Sequence, residues 1–258
     1  MQITQLRNAT IIIALGEYRI LVDPMLAPMG AIPPLKYATR HRRRNPLVKL
    51  PENTDALLET VTHCLITHCQ KGHFDHLDRA GAKWLRSGKV PVFCMQGDAG
   101  FLRKKGLMVT ELEAGKTQPF LDGLITPIPC IHGIGFVGRF MAHGYGYHIE
   151  FPEEPSVYIA GDTVLSDDVR RCLVSSQPDV SVVPAGGARF DLGEEIIMGV
   201  EDLEKVTRLT SGVVVANHLE ALDHCPVTRE ELRGLREQKG LGDRLRIPMD
   251  GETLQFPA

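Results

Sequence analysis

The chain has 258 residues, of which 43% are hydrophobic and 24% are charged, and its formal net charge is −3 at pH 7. This length suits one large domain with a sizeable core, and the composition excludes extensive disorder. We therefore expect a single domain over residues 1–258. Because the slight acidic excess creates no overall positive field, nucleic acid is not an expected partner.

The cysteines and the N-terminus bear on where the protein works. The six cysteines are scattered and form no C-x-x-C pair, and Cys64, Cys94 and Cys130 lie in apolar, strand-like runs, where a reduced buried thiol is the simplest interpretation. The longest apolar run near the N-terminus covers residues 9–15, which is too short to cross a bilayer, and no basic region precedes it. We expect a cytoplasmic protein with no membrane partner.

Strand-like and helix-like patterns alternate along the chain. The N-terminus begins with three β-rich runs that are separated by Arg7-Asn8 and Gly16-Glu17, as is typical of a β-meander. Later strands are predicted at 63–68, 90–95, 107–112, 124–131, 144–151, 156–162, 180–185 and 212–218, and the chain closes with RLRIP and TLQF. Helices are predicted at 80–88, 166–176, 199–210 and 228–238, with Ser166 and Thr228 as N-caps. This alternation predicts a layered α/β fold, with sheets inside and helices outside.

A long irregular segment interrupts this pattern at residues 25–52, which are rich in proline, glycine and basic residues. A loop of this length in a compact domain is usually either a functional lid or mobile. Its run RHRRRN, residues 40–45, could bind a phosphate or carboxylate of an anionic substrate. The alternative is that this basic run is solvated and binds no substrate.

Ligand-type residues follow the ends of five apolar strands. Taken singly, each has an ordinary explanation, because an aspartate before proline is usually a turn former and a lone histidine usually satisfies a structural hydrogen bond. Strand ends that converge on one rim of the sheets would nevertheless assemble a site from distant parts of the chain. The residues concerned are Asp23, His68, His132, Asp162 and His218.

The stretch THCQKGHFDHLD, residues 67–78, carries the most specific signal. His73, Asp75 and His76 lie within four residues, and without a cation they would repel or desolvate one another. Imidazole and carboxylate ligands suit Zn²⁺, and also Mn²⁺ or Fe²⁺. Two such ions about 3.5–4 Å apart can share a hydroxide and lower its pKa towards about 7. A carboxylate that bridges them has to enter from elsewhere in the fold, and Asp162 could do so.

In their order and spacing, these residues resemble the metallo-β-lactamase superfamily of metallo-hydrolases. The resemblance covers nearly the whole chain, and the runs ILVDPMLAP, IAGDT and NHLEALDHC look like the branch that contains ascorbate-6-phosphate lactonase. It implies a four-layer αβ/βα sandwich of two mixed β-sheets flanked by helices, with a metal site at the sheet edges. The implied first metal is held by His73, His132 and the first histidine of the motif. The implied second metal is held by Asp75, His76 and His218, with Asp162 bridging and Asp23 orienting the ligands through hydrogen bonds.

The sequence departs from this family at the first ligand. The family motif is His-x-His-x-Asp-His, which places Lys71 where its first histidine belongs, and an ammonium group cannot ligate a metal. We favour an insertion at Cys69–Lys71 that leaves His68 as the ligand, with Gly72 turning the chain back. The alternatives are Cys69 as a soft ligand, or a single metal held by Asp75, His76 and His218.

The segment NHLEALDHC has two interpretations beyond the ligand candidate His218. Glu220, Asp223 and His224 could line the substrate pocket, or they could hold the loop through structural hydrogen bonds. For His224 the structural role is the stronger expectation.

These residues predict a metal-dependent hydrolase in which a metal-bound hydroxide attacks a small-molecule substrate. Asp75 or Asp162 would handle protons, and two divalent ions, Zn or Mn with Fe as an alternative, would stabilise the oxyanion. A lactone or another ester comes first as substrate because of the branch resemblance, and a phosphodiester comes second. The rivals are a nuclease that uses the basic loop and a non-catalytic metal-binding protein. Relatives in this branch are often multimeric, so a homo-oligomer is also among the expectations.

Overall fold

The computed structural model describes residues 1–38, 42–70, 73–138, 141, 144–191 and 193–257, apart from the side chains of residues 136 and 137. The strands are β1 (Gln2–Arg7), β2 (Thr10–Leu15), β3 (Tyr18–Val22), β4 (His63–Leu65), β5 (Pro91–Met95), β6 (Met108–Leu112), β7 (Gln118–Phe120), β8 (Gly123–Pro129), β9 (Tyr145–Glu150), β10 (Val157–Ile159), β11 (Val180–Pro184), β12 (Val213–Asn217), β13 (Leu245–Arg246) and β14 (Thr253–Gln255). The helices are α1 (Thr54–Glu59), α2 (Arg79–Gly88), α3 (Gln96–Lys104), α4 (Gly135–Gly138), α5 (Asp167–Arg171), α6 (Val200–Leu209) and α7 (Arg229–Gln238). Helix α5 continues into a π-helical turn at Cys172–Ser176, and Gly242–Arg244 form a short 3-10 turn.

The strands form two mixed sheets. The first has the order β14-β1-β2-β3-β4-β5-β6, and the second has the order β13-β12-β11-β10-β9-β8-β7. Strands β3 to β6 run parallel in the first sheet, and strands β10 to β13 run parallel in the second. The other pairings are antiparallel, so each sheet joins a parallel half to an antiparallel half. The carboxyl ends of parallel strands share an edge of their sheet, and such edges are where binding sites usually form.

The two sheets pack face to face on a shared apolar core. Ile13 and Leu65 of the first sheet and Tyr147 and Val182 of the second belong to one cluster of buried side chains. Helices α2 and α3 pack on the outer face of the first sheet, and α5, α6 and α7 pack on the outer face of the second. The result is the helix–sheet–sheet–helix arrangement expected from the sequence, so the predicted fold class is confirmed.

The capping predictions are confirmed as well. The side chain of Ser166 accepts a hydrogen bond from the Val169 amide, and Thr228 accepts one from the Glu231 amide. Helix α3 was not predicted, because its two glycines lower helix propensity and conceal the helical period. In the described part of the chain, no helix combines the length and the apolar character needed to span a bilayer.

Residues 25–38 and 42–52 belong to a loop that contacts itself and the body of the fold. Ile32 and Asn45 make an isolated antiparallel bridge. The Asp223 carboxylate accepts hydrogen bonds from the Leu35 amide and the Asn45 side chain, both at 3.0 Å. Asp223 therefore holds the loop, which is one of the two roles expected for it, whereas residues 40 and 41 of the basic run lie outside the described residues.

A buried arginine fixes the two ends of this loop. Arg7 is fully buried, and its guanidinium donates hydrogen bonds to the carbonyl oxygens of Met25 at 2.6 Å, Ala27 at 2.9 Å and Val48 at 3.1 Å. Burial lowers the pKa of Arg7 to about 10, although the nearby carboxylate of Asp78 opposes this, so the group stays protonated at neutral pH. A single cation thus satisfies carbonyl groups at both ends of the loop.

We expect Arg7→Met to lower the free energy of unfolding by about 2–4 kcal/mol, because it leaves the loop carbonyls buried without donors. The matched control is Arg171→Met, since Arg171 is an exposed arginine that pairs with Asp168 on α5. This control should change stability by less than about 0.5 kcal/mol. Denaturant unfolding measures both values, and equal stabilities for the two variants would contradict the role of Arg7.

Candidate metal centre

The ligand-type residues lie together at the edge where strand ends from both sheets meet. Asp23 follows β3, His68 follows β4, His132 follows β8, Asp162 follows β10 and His218 follows β12. The motif residues His73, Asp75 and His76 lie on the turn between β4 and α2. All of these side chains are buried, and none is more than 8% exposed.

The side chains form two groups of potential metal ligands. In each group, one ligand atom from every member lies within 4.8 Å of all the others. The first group is His68, His73 and His132, and the second is Asp75, His76, Asp162 and His218. His68 thus lies with the histidines that the sequence assigns to the first metal, and the ring centroids of His68 and His73 are 4.5 Å apart.

Asp162 lies between the two groups. Its Oδ2 atom is 3.6 Å from Nε2 of His132 in the first group. The same oxygen is 3.1 Å from Nε2 of His76 and 3.4 Å from Nε2 of His218 in the second group. One carboxylate oxygen therefore faces both groups, which is the position that a bridging ligand requires.

Four of the histidines have their second ring nitrogen held by a neighbouring group, which fixes the ring so that Nε2 faces the centre. Nδ1 of His76 lies 2.8 Å from Asp23 Oδ2, and Nδ1 of His132 lies 2.9 Å from the Ile196 carbonyl oxygen. The other two contacts join Nδ1 of His68 to Thr67 Oγ1 at 3.0 Å and Nδ1 of His218 to Cys225 Sγ at 3.5 Å.

Asp23 ties β3 to the motif. Its backbone has a positive φ of 46°, and its carboxylate accepts hydrogen bonds from the Thr67 amide at 2.8 Å and the Thr67 hydroxyl at 2.5 Å. Burial raises the pKa of Asp23, while His76 and the Thr67 donors oppose that rise. Asp23 contacts His76 rather than either group as a whole, as expected for a residue that orients a ligand.

The free atoms of these groups fit divalent cations. Among the described residues, Nε2 of His68 and Nδ1 of His73 are buried and have no hydrogen-bond partner. A buried polar atom without a partner costs roughly 1–3 kcal/mol, so two of them in the first group call for a ligand. In the second group, Nε2 of His76 faces the carboxylate of Asp162 at 3.1 Å. Because the donors are imidazoles and carboxylates without a thiolate, they suit zinc, manganese or iron.

Electrostatics differ between the two groups. Burial lowers the pKa of His132 to about 4 and holds that of His68 well below its usual range, and neighbouring imidazoles add to the effect at His68. Burial acts in the same direction on His76 and His218, but the carboxylate of Asp162 outweighs it and raises both pKa values. Without a metal, His68 and His132 are therefore neutral at pH 7, whereas the second group balances its carboxylates with protonated imidazoles.

The remaining predicted residues lie farther from the groups. Glu220 pairs with Arg229 at the start of α7, with 2.6 Å between Oε2 and Nη1, so it holds the chain there. His224 is buried and stacks on Phe190, and its Nδ1 lies 4.0 Å from Cys225 Sγ. His224 and His218 thus both contact the sulfur of Cys225.

Two neighbours of the ligands had no predicted role. Asn8, in the turn between β1 and β2, accepts a hydrogen bond from the His218 amide at 3.0 Å and donates one to the Asp75 carbonyl at 3.4 Å. Cys225 contacts Nδ1 of His218. The only signal for Asn8 in the sequence is that of a turn residue, because its contacts are with residues distant along the chain.

The proposed insertion is described only in part. Lys71 and Gly72 lie outside the described residues, while the His73 amide donates a hydrogen bond to the Gln70 carbonyl at 3.0 Å. Cys69 belongs to the apolar cluster under α2 and α3 and to neither ligand group, and burial raises the pKa of its thiol. The described residues therefore favour His68 over Cys69 as the first ligand.

Metal analysis tests this assignment. Protein reloaded with Zn²⁺ should bind about two equivalents, and His68→Ala should lose about one because it removes a ligand from the first group only. The matched control is His63→Ala, since His63 lies at the start of β4 and belongs to neither group. Equal metal content in the two variants would contradict a ligand role for His68.

Proton release on metal binding tests the electrostatics. Since His76 and His218 have raised pKa values, both are protonated at pH 7 without metal, and Zn²⁺ binding should release about two protons from them. In the first group, His68 and His132 should release no protons, because their lowered pKa values leave them neutral at pH 7. The number of protons released from His76 and His218 should fall as pH rises through their raised pKa values. The number released by ionisation of metal-bound water would instead increase with pH. Calorimetry in buffers of different ionisation enthalpy measures the release, and a buffer-independent heat at pH 7 would contradict the assignment.

No protein-family model matches the chain. The chain is 32% identical over 260 residues to UPF0173 protein YddR of Bacillus subtilis, covering 99% of this chain and 100% of that protein. It is 29% identical over 263 residues to a UPF0173 metal-dependent hydrolase of Methanopyrus kandleri, with 99% and 100% covered.

Solved structures show the same fold. An isothiocyanate hydrolase from Delia radicum gut bacteria superimposes with a TM-score of 0.90 at 32% identity over 100% of both chains. The metallo-β-lactamase fold protein YhfI of Bacillus subtilis superimposes with a TM-score of 0.65 at 12% identity, over 98% of both chains, which shows the fold alone. The narrower resemblance to the ascorbate-6-phosphate lactonase branch stays a prediction. The chain belongs to the UPF0173 family of metal-dependent hydrolases and has the metallo-β-lactamase fold.

Proposed function

We propose that this hydrolase holds two divalent ions, one in each ligand group, and uses them to add water to a small electrophilic carbon. The observation that carries the proposal is the position of Asp162 Oδ2, which lies within 3.6 Å of imidazoles from both groups. Two ions in such a site lower the pKa of water towards about 7 and polarise the electrophile. Zinc or manganese suits the donor set best, with iron as the alternative.

The residues of the chain have distinct tasks in this proposal. The five histidines of the two groups bind the ions. Asp23 keeps the His76 ring in place, and Thr67 does the same for the His68 ring. Neighbouring imidazoles lower the pKa values of Asp75 and Asp162 although burial opposes this, so both carboxylates are ionised at neutral pH. Each has two oxygens, and one can bind a cation while the other accepts a proton. We assign Asp75 as the acceptor of the proton that the attacking water loses, and Asp162 as the bridge.

An isothiocyanate is the first substrate class that we propose. The support is the solved isothiocyanate hydrolase, which is 32% identical to this chain over its full length. In such a reaction, the oxygen of water bonds to the central carbon of R–N=C=S and one proton goes to the nitrogen. The carbon–nitrogen bond then breaks, the second proton goes to the nitrogen, and the products are the amine R–NH₂ and carbonyl sulfide.

A lactone or another ester is the second class. It rests on the branch resemblance of the runs around Asp23, Asp162 and His218, and its carbonyl carbon would take up water at the same place. A phosphodiesterase or a nuclease would turn over a phosphodiester instead, and a non-catalytic metal-binding protein would turn over none of these substrates.

The activity should depend on the metal and on Asp23. We expect the protein to convert benzyl isothiocyanate to benzylamine, to lose this activity in excess chelator, and to regain it with Zn²⁺ or Mn²⁺. Asp23→Asn should reduce activity or metal affinity by about 10–100-fold, because it weakens the acceptor that orients His76. Asp243→Asn, at an exposed residue on the short 3-10 turn, should leave both unchanged.

Amine release and loss of isothiocyanate absorbance measure this reaction. Hydrolysis that persists in excess chelator would contradict the metal mechanism. Turnover of a γ-lactone without turnover of the isothiocyanate would favour the second class, and turnover of a phosphodiester alone would favour the phosphodiesterase. Metal binding without turnover of any of these substrates would favour a non-catalytic metal-binding protein.

A further inference from the structure

A cavity of about 440 Å³ lies beside the metal motif, between the loop at residues 27–33 and the start of α2. A volume of this size is in the range of small-molecule sites in proteins. Its walls are formed by Ala27, Ala31, Ile32, Pro33, Arg44, Phe74, Asp78 and Arg79.

One wall of the cavity belongs to the metal motif itself. Phe74, which lines the cavity, lies between His73 of the first group and Asp75 of the second. Because consecutive Cα atoms are about 3.8 Å apart, the backbone of Phe74 is one residue away from a member of each group.

The walls of the cavity offer apolar surface and few free polar groups. Asp78 already accepts hydrogen bonds from the Ala27 amide at 2.6 Å and the Gly81 amide at 2.7 Å. Arg44 donates from Nε to the Gly30 carbonyl at 2.6 Å and from Nη2 to the Ala31 carbonyl at 3.0 Å. The remaining polar side chain, Arg79, is exposed. What is left inside is the half-buried ring of Phe74 and the aliphatic side chains of the loop.

We propose that this cavity binds the hydrocarbon substituent of the substrate and selects aryl or aralkyl groups, with Phe74 packing against the ring. The proposal rests on the proposed function, since an isothiocyanate has a reactive carbon at one end and an organic substituent at the other. An aromatic ring gains both from burial of its surface and from edge or offset contacts with Phe74. The loop at residues 27–33 then serves as a specificity wall, kept in place by Arg7 and by the Asp78 carboxylate.

Substrate selectivity tests this assignment. The wild-type protein should prefer benzyl over methyl isothiocyanate in kcat/KM, and Ala31→Phe should reduce that ratio about tenfold because the added ring fills the cavity. Ala31 is exposed on the loop, so the fold has room for the larger side chain there. The matched control, Ala114→Phe, changes an exposed residue in the turn after β6 and should leave the ratio unchanged.

Binding of an unreactive probe to the metal-loaded protein separates this inference from the proposed function. Benzyl alcohol should bind, and Ala31→Phe should weaken its affinity about tenfold, as measured by ligand-observed NMR titration. If the isothiocyanate is not hydrolysed but benzyl alcohol binding depends on Ala31, the proposed function fails while the cavity assignment is supported. If hydrolysis occurs but neither the selectivity ratio nor the binding changes in Ala31→Phe, the cavity assignment is wrong.

Discussion

The metal centre depends on how its buried charges are balanced. Asp75 and Asp162 are withdrawn from water together with the histidines around them, and an isolated buried carboxylate is costly. In the metal-free chain, protons on His76 and His218 supply the balancing charge. A divalent cation in the second group would replace those protons, and a cation in the first group would satisfy the nitrogens of His68 and His73 that have no partner. Binding a metal and losing a proton are therefore linked at this site.

Two residues at the site, Asp23 and His218, have a strained backbone conformation. Asp23 and His218 both have positive φ values, 46° and 57°, which are uncommon for residues with a side chain. Each is held by long-range contacts: Asp23 by Thr67, and His218 by the carbonyl of Asn8. Such strain at strand ends is typical of functional sites, where surrounding hydrogen bonds enforce a conformation that the residue alone would avoid. The same edge also receives the loop that Arg7 and Asp223 fix, which places a specificity wall beside the motif.

The sequence predicted the layers and the set of ligand candidates, because both leave local signals. Apolar runs mark the strands, and a histidine or aspartate at the end of such a run stands out. Other features depend on contacts that no local pattern records. The glycines of α3 conceal its helical period, and Asn8 contacts residues more than sixty positions away. Glu220 carries a ligand-type side chain, yet its pairing with Arg229 follows from how α7 packs rather than from its neighbours in sequence.

Two metal ions, one in each group of side chains and both next to Asp162, are what distinguishes this proposed site from a single-metal site. Anomalous diffraction at the zinc edge from crystals of the metal-loaded protein locates such ions. We expect two peaks about 3.5–4 Å apart, one among His68, His73 and His132 and the other among Asp75, His76 and His218, with Asp162 contacting both. A single peak in the second group, with His68 turned away from it, would show that the site holds one ion.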